Sequence, residues 1–158
     1  MDIIWEEKIS QLQNYKAKVI EGGGEKRIKK QHAAGKLTAR ERLEALFDDD
    51  TFTEINDMIT SRAVDFGMEK KKKLGDGVIT GFGKIHGRLM FASSQDFTIS
   101  GGALGEAQAM KICRAMDKAM EMKVPFISIN DSGGARIEEG IDGLSGYGDI
   151  FYRNTQAS

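Results

Sequence analysis

The chain has 158 residues, 40% of them hydrophobic, which is the length of one domain with enough apolar material for a core. Its 23 basic and 24 acidic residues give a net charge of −1, so no overall field favours nucleic acid or an anionic membrane surface. The apolar runs fall far short of the roughly 20 residues that span a bilayer, and no signal-peptide pattern opens the chain, which points to a cytoplasmic protein without membrane insertion.

Ile4, Trp5, Ile9, Leu12, Val19 and Ile20 recur at helical spacing until Gly22-Gly23-Gly24 stops the run. A second short helix is predicted from Glu25 to Ala34, with Gly35 suited to its C-terminal cap. Thr38-Ala39-Arg40-Glu41 is a capping-box pattern that opens a third helix through Phe47. This N-terminal helical segment, residues 1–50, is strongly charged outside its apolar stripe. It reads either as a helix lying across another subunit or domain, or as a solvated arm.

From Thr51 the period changes to alternation. Phe52 to Met58 is a predicted strand, and Val78–Ile85 with Leu89–Ser94 flank His86-Gly87 as a tight hairpin. Between them, Lys70 to Lys73 precede Gly75-Asp76-Gly77. Four lysines in a row are a solvated loop or a phosphate contact, and both readings stay open.

The segment Ser94 to Glu106 leads into a long helix ending near Lys123, with Leu104, Ala107, Ile112, Ala115, Met116, Ala119 and Met120 offered to a core. Gly101-Gly102 precedes that helix, whose N-terminal N–H groups attract phosphates and carboxylates. Cys113 is the single cysteine, which excludes an intrachain disulfide; its apolar neighbours mark it as a small buried residue. Met110, Met116, Met120 and Met122 read as adaptable packing.

An apolar run from Val124 to Ile129 predicts a buried strand, followed at once by Asn130-Asp131-Ser132-Gly133-Gly134-Ala135-Arg136-Ile137. Glycine lets a ligand atom approach the main chain, so this loop is either a plain strand-to-helix turn or an oxyanion site. Several other chemistries are disfavoured. No Walker lysine follows either glycine pair, and Gly81-Phe82-Gly83 lacks the third glycine of a dinucleotide fingerprint. His32, His86 and Cys113 lack zinc-ligand spacing, and Ser132 has no histidine nearby in sequence to act as base.

Seven segments, in order, carry a resemblance: Gly22 to Arg27, Lys30-Gln31-His32, Gly35 to Leu43, Gly75 to Gly81, Gln95 to Thr98, Asn130 to Ile137 and Gly146 to Phe151. Together they resemble the carboxyltransferase subunit of biotin-dependent acyl-CoA enzymes, the family of the propionyl-CoA carboxylase β subunit and the methylmalonyl-CoA decarboxylase α subunit. The resemblance implies an α/β, crotonase-like superhelix of strand-strand-helix units, of which residues 51–158 would be the first part. Family subunits are several times longer, so the chain is expected to be an N-terminal fragment, inactive alone. A further glycine-rich loop and the biotin approach would lie outside it.

The implied reaction moves a carboxyl group between biotin and the α-carbon of a short acyl-CoA, with a thioester enolate stabilised by backbone N–H groups. On that basis Gly134 and Ala135 supply donors and Gly133 allows close approach. Gly101 and Gly102 are candidate contacts for the same pocket or for CoA. Arg136 either meets a substrate carboxylate or phosphate, or forms an internal salt bridge to Asp131 or Glu139. Glu138 is a departure, since many relatives carry glutamine there. Implied partners are a biotinyl carrier protein, a biotin carboxylase or membrane decarboxylase subunit, and further copies of the full-length parent. Biotin would be carried on a partner, no metal is called for, and the alternative is a non-catalytic module for CoA binding or assembly.

Overall fold

The computed structural model describes the backbone of residues 2–158 and the side chains of residues 5–158, so the side chain of Ile4 lies outside the described residues. Three helices open the chain: α1 (Asp2–Ile20), α2 (Glu25–Ala33) and α3 (Ala39–Leu46). Both halves of the capping box at α3 form, with Glu41 N–H donating to Thr38 Oγ1 at 3.3 Å and Thr38 N–H donating to Glu41 Oε2 at 2.7 Å. Helix α3 then sinks Leu43 and Phe47 into a core shared with Ala92, Phe52, Ile79 and Ile127. Helix α1 behaves differently. Among its described side chains only Val19 in the last turn is buried, and Trp5, Ile9 and Leu12 face solvent at 63%, 53% and 44% exposure.

A four-stranded sheet follows, in the order β1-β2-β3-β4. Strand β1 (Thr53–Ile55) is shorter than the predicted Phe52–Met58, because Asn56 turns left-handed at φ 58° and leads the chain out of the sheet. Strands β2 (Val78–Ile85) and β3 (Arg88–Gln95) form the predicted hairpin. Its two turn residues, His86 and Gly87, both take positive φ, as a type I′ turn requires. Asp48 caps this turn by accepting both N–H groups, at 3.0 and 2.8 Å. Those bonds hold its carboxyl below the usual carboxylate range.

Helix α4 (Glu106–Met122) crosses from β3 to β4 (Phe126–Ile129), which pairs parallel to β3 from Phe91↔Phe126 to Ser94↔Ile129. Lys123 ends α4 in the left-handed conformation, and α5 (Ile141–Ala157) packs back on α4. The apolar stripe of α4 meets the sheet as expected: Ala115 and Ala119 pack on Phe91, while Ile112 and Met116 pack with Leu104 and Val78. Cys113 is buried, which pushes its thiol up to about 11, so it is not a ready nucleophile.

Two polar side chains lie inside that stripe. Gln108 and Lys111 are fully buried, and both reach the turn before β2. Gln108 Nε2 donates to the carbonyl oxygens of Asp76 and Gly77 at 3.1 and 3.0 Å, and Lys111 Nζ donates to those of Gly75 and Val78 at 2.8 and 2.5 Å. Burial lowers the Lys111 ammonium to about 8, with Glu54, Asp76 and Asp57 acting against that fall. The Gly75-Asp76-Gly77 turn is thereby clamped to α4. Two loops, residues 96–105 and 130–136, emerge side by side at the C-terminal ends of parallel β3 and β4, the position where open α/β sheets bind ligands.

Candidate functional site

The two loops are joined backbone to backbone. Gly133 N–H donates to Gly101 O at 2.9 Å, Leu104 N–H to Gly134 O at 2.8 Å, and Arg136 N–H to Leu104 O at 2.8 Å. The last two make a parallel bridge between Leu104 and Ala135. Gly102 permits this approach, since a Cβ there would sit 2.0 Å from the carbonyl oxygen of Asp131. It serves here as a packing glycine that lets the neighbouring loop come close.

Each N–H of the Gly133-Gly134-Ala135 segment can be accounted for. That of Gly133 is used by Gly101, and that of Gly134 donates to Ser132 Oγ within its own loop at 3.1 Å. Ala135 N–H takes no acceptor among the described residues. A trans peptide points its N–H opposite its C=O. Since Gly134 O faces Leu104, Ala135 N–H faces away from that loop. Ser132 and Gly133 beside it are exposed, and Gly134 holds φ 114° with nothing within 4 Å of the place a Cβ would occupy.

Arg136 does not face a substrate. Its side chain is 3% exposed and lies between Asp76 Oδ1 at 2.8 Å and Glu139 Oε1 at 2.7 Å, so the internal alternative holds, with Glu139 and Asp76 as partners and not Asp131. Glu139 accepts further bonds from Ser61 Oγ at 2.8 Å and from Glu106 N–H, the first residue of α4, at 2.7 Å. Burial opposes ionisation of Glu139, yet the Glu106 N–H, Ser61 and Arg136 together hold its carboxyl below the usual range. Burial pushes the Asp76 carboxyl up against the pull of Arg136. The expected anion site at the α4 N-terminus is therefore filled from within the chain by Glu139. Gly101 and Gly102 lie upstream of it, in a tight turn over Ser100–Gly102.

Residues 23–42 of the N-terminal segment dock on these loops, while α1 stays exposed as far as Lys18 among its described side chains. Asp131, with a side chain 10% exposed, accepts from Gln31 Nε2 at 3.0 Å, Lys36 Nζ at 3.0 Å and Arg42 Nη2 at 2.5 Å. Burial works against its charge, but these three donors hold its carboxyl below the usual range. Gly23 N–H and Arg27 Nη1 bond Thr98 at 3.0 and 3.2 Å. Between this segment and the Gly101 turn lies a cleft of ≈ 520 Å³ lined by Arg27, Lys30, Lys36, Lys71, Lys73 and Phe97, with no carboxylate in its lining among the described residues. Lys71 lies 3.7 Å from Glu138 at its edge, and Lys36 lies over the Phe97 ring at 5.3 Å.

Sequence reasoning found the two glycine loops and the lysine run but missed Asp76, Gln108, Lys111 and the role of Asp131. A signal existed for two of them: Gln108 and Lys111 interrupt the apolar stripe of α4 at i, i+3 spacing. Asp131 gave none, because its partners lie 89 to 100 residues away.

A sheet crossed by helices, with two glycine loops at the C-terminal ends of parallel β3 and β4, is an α/β architecture of the crotonase-like kind. The family model for the carboxyl transferase domain matches residues 30–158, and the chain belongs to that family. It is 56% identical over 153 residues to methylmalonyl-CoA decarboxylase subunit alpha of Veillonella parvula, covering 97% of this chain and 30% of that protein. The propionyl-CoA carboxylase beta chain of Roseobacter denitrificans is 51% identical over 150 residues, covering 95% of this chain and 29% of that one. The solved hexamer of transcarboxylase 12S, with methylmalonyl-coenzyme A and methylmalonic acid bound, superposes with a TM-score of 0.94 at 47% identity, covering 97% of this chain and 30% of that one. A Pseudomonas malonate decarboxylase in complex with malonate aligns with a TM-score of 0.69 at 27% identity, covering 77% of this chain and 46% of that one. The chain thus spans about 30% of the length of the curated relatives it matches.

Proposed function

We propose that the whole protein transfers a carboxyl group between biotin and the α-carbon of a short acyl-CoA, and that this chain supplies one wall of the acyl-CoA site. The observation that carries the reading is the unengaged Ala135 N–H, turned away from Leu104, on a loop joined through the Gly101–Gly133 contact to a cleft lined by five cations. Breaking the bond from the α-carbon to the carboxyl group leaves its electron pair on the acyl-CoA as an enolate, with negative charge on the thioester oxygen. Ala135 N–H, fixed before the reaction, stabilises that oxygen, and one such donor contributes about 2.7 to 4 kcal/mol. Gly133 and Gly134 hold it in place and leave the face in front open. Biotin, carried on a partner, would take the carboxyl group at N1′ while its N1′ proton goes to the α-carbon of the enolate, or the reverse in the other direction, so that the exchange balances. No side chain of this chain has to act as a nucleophile.

The five cations of the cleft suit the phosphates of CoA, and Phe97 offers a flat face there. Lys71 and Lys73, from the four-lysine run, are assigned to phosphate. Replacing both with alanine is expected to weaken CoA binding about tenfold by calorimetry at low salt. Unchanged affinity would move CoA elsewhere. Gly134→Val is expected to cut carboxyl exchange of the whole protein at least about tenfold, because a branched residue resists φ 114° and its side chain would project on the ligand side.

The decisive assay offers the whole protein malonyl-CoA and methylmalonyl-CoA with free biotin or a biotinyl domain. Absence of carboxyl exchange with either thioester would overturn the reading. A second reading, for the 158 residues by themselves, is a CoA-binding module, since the cleft lies within the chain while the loop offers a single unengaged donor among residues 133–135. CoA binding without turnover by the isolated chain supports it, and turnover refutes it.

A further inference from the structure

Arg136 is buried, yet its guanidinium is connected to the open face of the site by an unbroken series of backbone groups. Arg136 Nη2 donates to Ala103 O at 3.2 Å. The same peptide unit presents Leu104 N–H at its other end, and that N–H donates to Gly134 O at 2.8 Å. Gly134 O belongs in turn to the peptide whose N–H is that of Ala135. We infer that Arg136 is a positioning residue that orients and polarises Ala135 N–H through the Ala103–Leu104 and Gly134–Ala135 peptides. The inference rests on the proposed role of Ala135 and identifies what sets the strength of that donor.

Three physical features make the series effective. A hydrogen bond to one end of a peptide strengthens the donor at its other end, and such chains polarise cooperatively in low dielectric. The head of the series is a full charge rather than a neutral donor, and a charged partner makes a stronger bond. The guanidinium is also immobilised: Asp76 Oδ1 and Glu139 Oε1 hold Nη1, and Nη2 bonds Asp76 O at 3.3 Å as well. Gln108 Nε2 also reaches Ala103 O, at 3.4 Å, but it is neutral and more distant. With one charge fixed at the head, the direction of Ala135 N–H follows from the planarity of two peptides. Glu139 has a double part, since it holds Arg136 and caps α4 at Glu106, which fixes the turn where Ala103 and Leu104 begin the series.

The test uses the whole protein with Arg136→Gln, which keeps hydrogen-bond donors but removes the charge, and Arg136→Lys, which keeps the charge. The acyl-CoA cleft is lined by other residues, so Arg136→Gln is expected to lower kcat about tenfold or more while KM for acyl-CoA stays within about twofold. Arg136→Lys is expected to recover part of the lost kcat. Difference infrared spectroscopy of a bound, unreactive acyl-CoA supplies the signature a merely structural role would not move. Its thioester carbonyl stretch should fall on binding to the wild type, and fall less in Arg136→Gln. Equal shifts in both folded proteins would overturn the inference, as would equal losses in kcat and in folded fraction. If Arg136→Gln does not fold, Gln108→Leu and Glu139→Gln serve in the same spectroscopic comparison: Glu139→Gln should weaken the shift and Gln108→Leu should leave it nearly intact. The reverse order would refute the series. A wild-type protein that binds acyl-CoA with no carbonyl shift would instead remove the role of Ala135 itself.

Discussion

Gly102→Ala is expected to abolish measurable carboxyl exchange, with a loss of at least about a hundredfold, the scale of removing an oxyanion donor. The methyl carbon would meet the Asp131 carbonyl oxygen at 2.0 Å, and backbone cannot rotate away as a side chain can. Gly102 also sits at φ 66°, a conformation alanine resists by about 1–2 kcal/mol. The loops over residues 96–105 and 130–136 must separate, which breaks the three hydrogen bonds between them and turns Ala135 N–H out of register. Each such bond contributes about 0.5–1.5 kcal/mol, so with the backbone cost added a stability loss of about 4–5 kcal/mol should accompany the lost activity in thermal denaturation. Gly101→Ala is the control. Gly101 has a similar φ of 62° but nothing within 4 Å of its Cβ position, so only the backbone cost applies. If the two variants lose activity equally, close approach is not what Gly102 provides.

The second large effect is expected at Asp131. Asp131→Ala removes the shared acceptor of Arg42, Lys36 and Gln31 at once and loosens residues 31–42 from the 130–136 loop, while Gly23 and Arg27 keep their bonds to Thr98. Breaking a largely buried pair costs about 3–5 kcal/mol, and the half-exposed Lys36 places the expected loss near the lower end. Chemical denaturation measures it, and faster proteolysis between residues 34 and 42 should accompany it. The pH dependence has a definite sign. The folded carboxyl is held below its unfolded value of about 3.9, so its contribution is fully present above that value and is lost as pH falls through the folded pKa. Asp131→Ala should therefore flatten the acid limb of the stability curve below about pH 4 and leave the neutral region uniformly lower. An unchanged acid limb would show that Asp131 is not the group that titrates there.

What was legible in the sequence was local. Thr38 with Glu41 announces a helix start three residues apart, and His86-Gly87 announces a turn because both positions need positive φ. The stripe of α4 from Ala107 to Ala119 repeats at helical period, so its buried face could be read directly. The glycine pairs marked where backbone would be open. Which N–H is free could not be read, because that depends on Leu104 meeting Gly134 across thirty positions of chain. Likewise Arg136 looked available for a ligand until Asp76, sixty residues upstream, is seen to hold it. The α4 N-terminus looked vacant for the same reason, since Glu139 reaches it from beyond β4. The predicted strand after Thr51 ran too long because alternation continues through Met58, whereas a single left-handed residue, Asn56, decides the end of pairing.

Among its described residues helix α1 packs only at its last turn, and it carries Trp5, the one tryptophan of the chain. Intrinsic tryptophan emission is therefore a reporter of the arm and blind to the sheet. Denaturant titrations followed by that signal would record local fraying, while circular dichroism would follow the loss of the body. The same placement is an optical advantage for assembly work: whatever comes to cover α1 should shift the emission to shorter wavelength, with no dye attached and no residue changed.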